Sequence, residues 1–140
     1  HVREYPTERA KHLQQIGHFA DACDSYVELA RCKSEEFSLQ DRLIFLDCAS
    51  VCAGQARGQA QPSYDQQRIK DLVSIVMLQT RIVKEIDGKI RAAEAGQNSE
   101  FVNDCQNGLK LVTHTIHTPS YLYNDICTKL RLYESLIAIR

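Results

Sequence analysis

Residues 63–96 read SYDQQRIKDLVSIVMLQTRIVKEIDGKIRAAEAG, and this stretch decides the fold class. Its apolar residues Ile69, Leu72, Val76, Val83, Ile86, Ile90 and Ala93 recur at spacings of three, four and seven, which line up on one face of an α-helix. Gly58-Gln59-Ala60-Gln61-Pro62 precedes it as a loop, and Gly96 follows as a stop. The pattern predicts one helix from Ser63 to Ala95, about 50 Å long at about 1.5 Å per residue, setting the long axis of the molecule.

The same period extends in both directions. Upstream, Leu13, Ile16, Ala20, Cys23, Val27 and Ala30 form a stripe that predicts a first helix from Thr7 to Lys33, with Gly17 as a weak point inside it. Ser38-Leu39-Gln40-Asp41 resembles a capping box and opens a second helix, Leu39 to Arg57. That helix is dense in apolar and small residues, so burial on more than one face is expected. Downstream, Gln97-Asn98 turns the chain and Ser99 caps a fourth helix ending near His117. Thr118-Pro119 breaks it. A fifth helix, Ser120 to Ile139, carries Tyr123, Ile126, Leu130, Tyr133 and Ile137 on one face. Strand signals are nearly absent. The expected fold is all-α: an antiparallel bundle of four to five helices, forming a single domain over residues 1–140.

Lys and Arg total 17 against 18 Asp and Glu, and neither sign is segregated along the chain. A polyanion-binding protein needs clustered cations, so nucleic acid is not an expected partner. No apolar run approaches the roughly 20 residues that span a bilayer. The chain opens His1-Val2-Arg3-Glu4-Tyr5-Pro6, which has no apolar signal region, so a secreted protein would be represented here in mature form. Arg3, Glu4 and Glu8 with Tyr5 are expected to dock the leading segment.

The cysteines carry the compartment argument. Cys23, Cys32, Cys48, Cys52, Cys105 and Cys127 make an even count in a small chain, which predicts three disulfides and an extracellular location. Cys48 and Cys52 lie one helical turn apart, with Cβ atoms about 5–6 Å apart, too far for a mutual bond that needs about 3.5–4.5 Å. Folding the first two helices as a hairpin about residues 35–36 places Cys23 opposite them, so Cys23 is expected to bond Cys48 or Cys52. Cys105 and Cys127 have several open partners, each other included.

No catalytic apparatus is legible. There is no G-x-S-x-G, no phosphate-cradling glycine loop and no zinc-like cysteine spacing, so neither an enzyme nor a cofactor is expected. His114 and His117 sit three apart and lack a third metal ligand nearby. The residues singled out as a partner surface are Tyr121, Tyr123, Arg131 and Tyr133, because Tyr and Arg dominate protein-interface hot spots.

Two resemblances bear on function. Cys48-x-x-x-Cys52 preceded by Cys23 is similar to the insect odorant-binding and D7 salivary class, which implies a carrier of a small apolar or amine ligand. The sequence departs from that class in lacking the late Cys-x8-Cys spacing and in having Cys32. The whole chain, in its size, its all-helical layout and its opening His1-Val-Arg-Glu-Tyr-Pro-Thr-Glu-Arg leading to Cys23-Asp-Ser-Tyr, resembles the anophensin/albicin family of anopheline mosquito saliva. That resemblance implies a secreted protein of blood feeding that binds a host plasma protein. It implies inhibition of the alternative complement pathway at the C3 convertase of C3b and Bb, or of the contact phase (the kallikrein-kinin system).

Overall fold

Gly17 ends the first helix. The backbone there has φ of 83°, a left-handed conformation that glycine adopts without penalty. His18 N–H donates to Leu13 O at 2.9 Å and Gly17 N–H to Gln14 O at 3.2 Å, the paired bonds of a Schellman motif. The single helix expected over residues 7–33 is therefore two, α1 (Tyr5–Gln15) and α2 (Phe19–Arg31). The computed structural model describes residues 5–56, 58, 60–96 and 99–135. The leading residues Arg3 and Glu4, the ends expected at Arg57 and Ile139, the Gln97–Asn98 turn and Ile137 lie outside them. The remaining elements are α3 (Leu39–Gln55), α4 (Gln66–Ala95), α5 (Ser99–Thr113), α6 (Pro119–Tyr121), a π-helical segment (Leu122–Cys127) and α7 (Thr128–Leu130). No strand occurs among the described residues. The protein is all-α, as the periodicity predicts.

Its contacts divide into two compact units. The first comprises the chain up to Cys32 together with Gln40–Ser74; the second comprises Lys33–Leu39 and the chain from Ile75 onward.

In the first unit, α1 is mostly polar and buries Ala10. Tyr26 of α2 donates its hydroxyl to Gln14 Oε1 at 3.1 Å, which ties the two helices. α2 buries Ala22, Cys23, Tyr26, Val27, Leu29 and Ala30. α3 buries Leu46, Ala49 and Cys52 at helical spacing, with Ala56 buried just beyond its end, while Ile44 and Val51 are about half exposed. Burial of α3 is thus confined to one stripe, not several faces. Arg42 on that stripe is wholly buried, and its Nη1 donates to Ala30 O at 2.8 Å and Cys32 O at 2.6 Å. It satisfies the carbonyls left open at the end of α2, and burial lowers the pKa of its guanidinium.

Tyr64 anchors the connection that follows α3. Asp24 of α2 accepts from Ser63 N–H at 2.9 Å, and the Tyr64 hydroxyl donates to Glu28 at 2.9 Å while accepting from Arg31 at 2.6 Å. Arg68 lies 4.7 Å from the centre of its ring, a cation–π distance. α4 then begins three residues later than expected, because Asp65 is its N-cap: Asp65 Oδ1 accepts from Arg68 N–H at 2.8 Å.

In the second unit, α4 presents Val76, Gln79, Ile82, Ile86 and Ile90. Ile82, Ile86 and Ile90 form one cluster with Cys105 and Val112 of α5 and with Leu122, Ile126, Cys127, Leu130 and Leu132. Burying each Ile or Leu contributes about 1.5–3 kcal/mol, which makes this cluster the main source of the unit's stability.

Candidate functional site

The surface singled out in the sequence begins at the end of α5. That helix stops at Thr113, short of the expected His117, because Gln79 takes over its last backbone groups. Gln79 is fully buried. Its Nε2 donates to Val112 O at 2.9 Å and Thr115 O at 2.8 Å, and its Oε1 accepts from His117 N–H at 2.8 Å. His114 and His117 therefore do not share a helical face. His114 O accepts from Ser34 N–H at 3.0 Å, and a ring nitrogen of His117 faces Leu111 O. Among the described residues, no group of three or more His, Cys, Asp or Glu is placed to hold a metal ion. Nor is any helix there long and apolar enough to cross a membrane.

Pro119 sits in the first turn of α6, where its missing N–H costs nothing, and Thr118 Oγ1 accepts from Tyr121 N–H at 3.2 Å as the N-cap. The helix then widens into the π segment, where Thr128 Oγ1 donates to Tyr123 O at 2.7 Å. It ends at Arg131, the one non-glycine residue with positive φ among those described, at 56°. Leu132 N–H donates to Cys127 O at 2.9 Å and Arg131 N–H to Thr128 O at 3.4 Å. This is a second Schellman motif, built on arginine where glycine is usual. The fifth helix expected to run unbroken from Ser120 is thus interrupted twice.

That reversal decides what is exposed. Leu132 turns inward and is fully buried, while Tyr133 is 63% exposed. The expected stripe holds for Ile126 and Leu130, both buried, and fails at Tyr133, which leaves their face. Glu85 holds the next turn by accepting from Ser135 N–H at 2.9 Å and Ser135 Oγ at 2.7 Å. Of the four candidate residues, Arg131 and Tyr133 are exposed on either side of Leu132 at this turn, and Tyr123 is half-buried. Tyr121 stands apart. It stacks on His117, with ring centres 4.3 Å apart, and packs against the core. Ten residues of helix put it roughly 15 Å from Arg131 along the axis.

No protein-family model matches the chain, and neither does any curated protein. Solved structures do. The chain is similar to the C-terminal domain of Nup170 from Chaetomium thermophilum in its complex with Nup145N, at 17% identity and a TM-score of 0.61 over 97% of this chain and 26% of that one. It is likewise similar to a methionine-substituted mutant of the same domain, at 18% identity and a TM-score of 0.63 over 93% of this chain and 24% of that one. The likeness is one of fold. The chain spans about a quarter of the length of those domains.

The six cysteines are thiols in this structure. Cys23 and Cys52 are fully buried and Cys48 is partly exposed, all in the first unit. Cys32 Sγ lies 3.2 Å from Leu29 O. Cys105 and Cys127 are buried in the core of the second unit. Burial pushes the Cys23 thiol up to about 12, helped by Asp24 and Cys52, and the Cys52 thiol up to about 11, helped by Cys48. Such thiols stay protonated at neutral pH and are poor nucleophiles.

Proposed function

We propose that this chain is a secreted binding protein without enzymatic activity. It acts as a single domain over residues 1–140 and inhibits a host plasma protein, with the alternative-pathway C3 convertase of C3b and Bb as its target. The observation that carries the binding half is the turn at Arg131. It exposes Arg131 and the large aromatic ring of Tyr133, two residues apart, on a backbone fixed by two Schellman bonds. Rigid presentation of such side chains lowers the ordering cost of binding a protein. The helical fold that this chain resembles is solved in Nup170 with a protein bound, which favours the same class of role. The choice of target rests on the resemblance of the opening segment and layout to the anophensin/albicin family.

The stapling of the helical bundle belongs to the same proposal, with Cys23 bonded to Cys48 or Cys52. The burial of Cys23 and Cys52 in the same unit, within electrostatic reach of each other, favours it.

The test is a C3b-deposition assay with purified protein, run beside a contact-activation assay. Inhibition of deposition that falls at least tenfold in Tyr133→Ala or Arg131→Ala supports the proposal. Inhibition of contact activation alone would move the target to the kallikrein-kinin system. Inactivity in both assays, with a small apolar or amine ligand co-purifying by mass spectrometry, would replace the inhibitor by a carrier.

A further inference from the structure

Glu85 of α4 accepts from Ser135 N–H at 2.9 Å and from Ser135 Oγ–H at 2.7 Å, both through Oε1. Its neighbours one helical turn away are Arg81 and Lys89, with Cβ atoms about 5–6 Å off, and either would be its ordinary i,i+4 partner. Ser135 takes that place. Asp87 pairs with Arg91 at 3.0 Å. Arg81, Lys84 and Lys89 are left with no ion-pair partner among the described residues. Arg81 and Lys84 are exposed, and Lys89 is half-buried.

The same clasp holds the exposed turn. Ser135 follows Tyr133 by two residues, at most about 7 Å of chain. Bonding Ser135 to Glu85 therefore brings the Arg131–Tyr133 turn alongside the cations of α4, all within the second unit. Arg81, Lys84, Lys89 and Arg131 gather about one clasp, against the carboxylates of Glu85 itself and of Glu134. The whole chain carries a net charge of −1, so this positive excess is local.

We propose that the α4 cations and the Arg131–Tyr133 turn form one basic, aromatic interaction surface, and that its occupant is an acidic patch on the partner protein. This rests on the reading of the turn as a binding surface and adds the partner's chemistry. Charge complementarity selects the sign, because cations without an internal partner form new ion pairs on binding and break none. The exposed ring of Tyr133 selects a protein over a sulfated polysaccharide, since an aromatic anchor contributes by filling a pocket. Glu85 and Glu134 also lie within the cluster and repel a continuous polyanion. The separate carboxylates of a folded protein face the cations to either side. Tyr133 then anchors the complex, while the α4 cations steer its encounter.

The test is surface plasmon resonance of the intact chain over immobilised C3 convertase, plasma kallikrein and heparin, at ionic strengths from about 0.05 to about 0.5 M. Wild type is expected to bind one of the two proteins, with an association rate that falls as salt rises. Arg81→Glu and Lys84→Glu should each slow association about tenfold at the lowest salt and change dissociation little, whereas Tyr133→Ala should mainly speed dissociation. Lys110→Glu makes the same charge change on the face of α5 turned away from buried Gly108, and should leave both rates as they are. Circular dichroism verifies folding. Arg81→Gln and Lys84→Gln, which remove the charge without reversing it, carry the test if a reversal unfolds the chain. Protein binding weakened by Tyr133→Ala but equally fast in the α4 variants would overturn the acidic occupant and leave the turn as a binding surface. Binding to heparin alone, lost in the α4 variants, would replace the protein by a sulfated polysaccharide. Binding to none of the three would remove the reading of the turn and this extension together.

Discussion

Gly108 of α5 and Leu130 of α7 meet with no room for a side chain between them: a Cβ on Gly108 would lie 2.6 Å from Leu130 Cδ1. The contact fixes how closely α5 and the returning helix approach. Cys105 and Cys127 lie close by in sequence. Each lies three residues before the contact, Cys105 on α5 and Cys127 at the end of the π segment, in one buried cluster.

Gly108→Ala is therefore expected to destabilise the protein by about 1 kcal/mol, although alanine is the better helix former, because overpacking outweighs the propensity gain. Gly88 of α4 is the control. Nothing lies within 4 Å of its Cβ position, so Gly88→Ala should gain about 0.5–1 kcal/mol. Urea unfolding of the pair measures both, and gains of equal size would show that the close approach is not real.

The two Schellman motifs make opposite predictions. Gly17 holds φ of 83° and Arg131 holds φ of 56°. Gly17→Ala should cost about 1 kcal/mol and Arg131→Gly should gain about 0.5–1 kcal/mol, since only glycine visits this region freely. Thermal unfolding of the two variants decides, and a melting temperature lowered by Arg131→Gly would count against the left-handed turn.

Gln79→Leu keeps the volume of the side chain and removes all three of its hydrogen bonds. Two carbonyls and one amide at the end of α5 then lose their partner, at a cost of about 2–4 kcal/mol. Denaturation of Gln79→Leu against wild type reads this directly. A loss under 0.5 kcal/mol would mean that solvent replaces Gln79 there.

The reduced chain should lose stability in alkali. The thiols of Cys23, Cys52 and Cys127 lie above the ordinary 9.0, Cys23 at about 12 and the other two at about 11, with burial the leading cause in each. A thiol that ionises more readily unfolded than folded contributes fully below the unfolded pKa, and its contribution disappears as pH rises through the folded one. Under reductant, the urea midpoint should be steady up to about pH 8 and should fall from about pH 9 towards 12. A midpoint unchanged between pH 8 and 11 would contradict the burial of these thiols.

Much of the fold was legible because helical burial leaves a periodic trace. Of the stripe on α4, Ile69, Val76, Ile86 and Ile90 are buried, while Leu72, Val83 and Ala93 are half-buried. The end of α1 was also written in the sequence, since glycine is the usual C′ residue, but an apolar period continuing through Ile16 and Ala20 masked it. The end of the last helix was not legible. Arginine carries no signal for a left-handed turn, so the period placed Tyr133 on the buried face when Leu132 occupies it. The end of α5 was equally hidden, because the residue that sets it lies 33 to 38 positions upstream. Of the candidate surface, Arg131 and Tyr133 fall together and exposed, while Tyr121 is drawn to the core by His117.

The same distance along the chain gives Gln79 a place in time. The boundary of α5 cannot be set by local sequence as the helix forms. It is set when α4 docks, after a loop of more than 30 residues has closed. The local period of α5 runs on towards His117, so its C-terminal boundary belongs to the packed unit and not to the isolated helix.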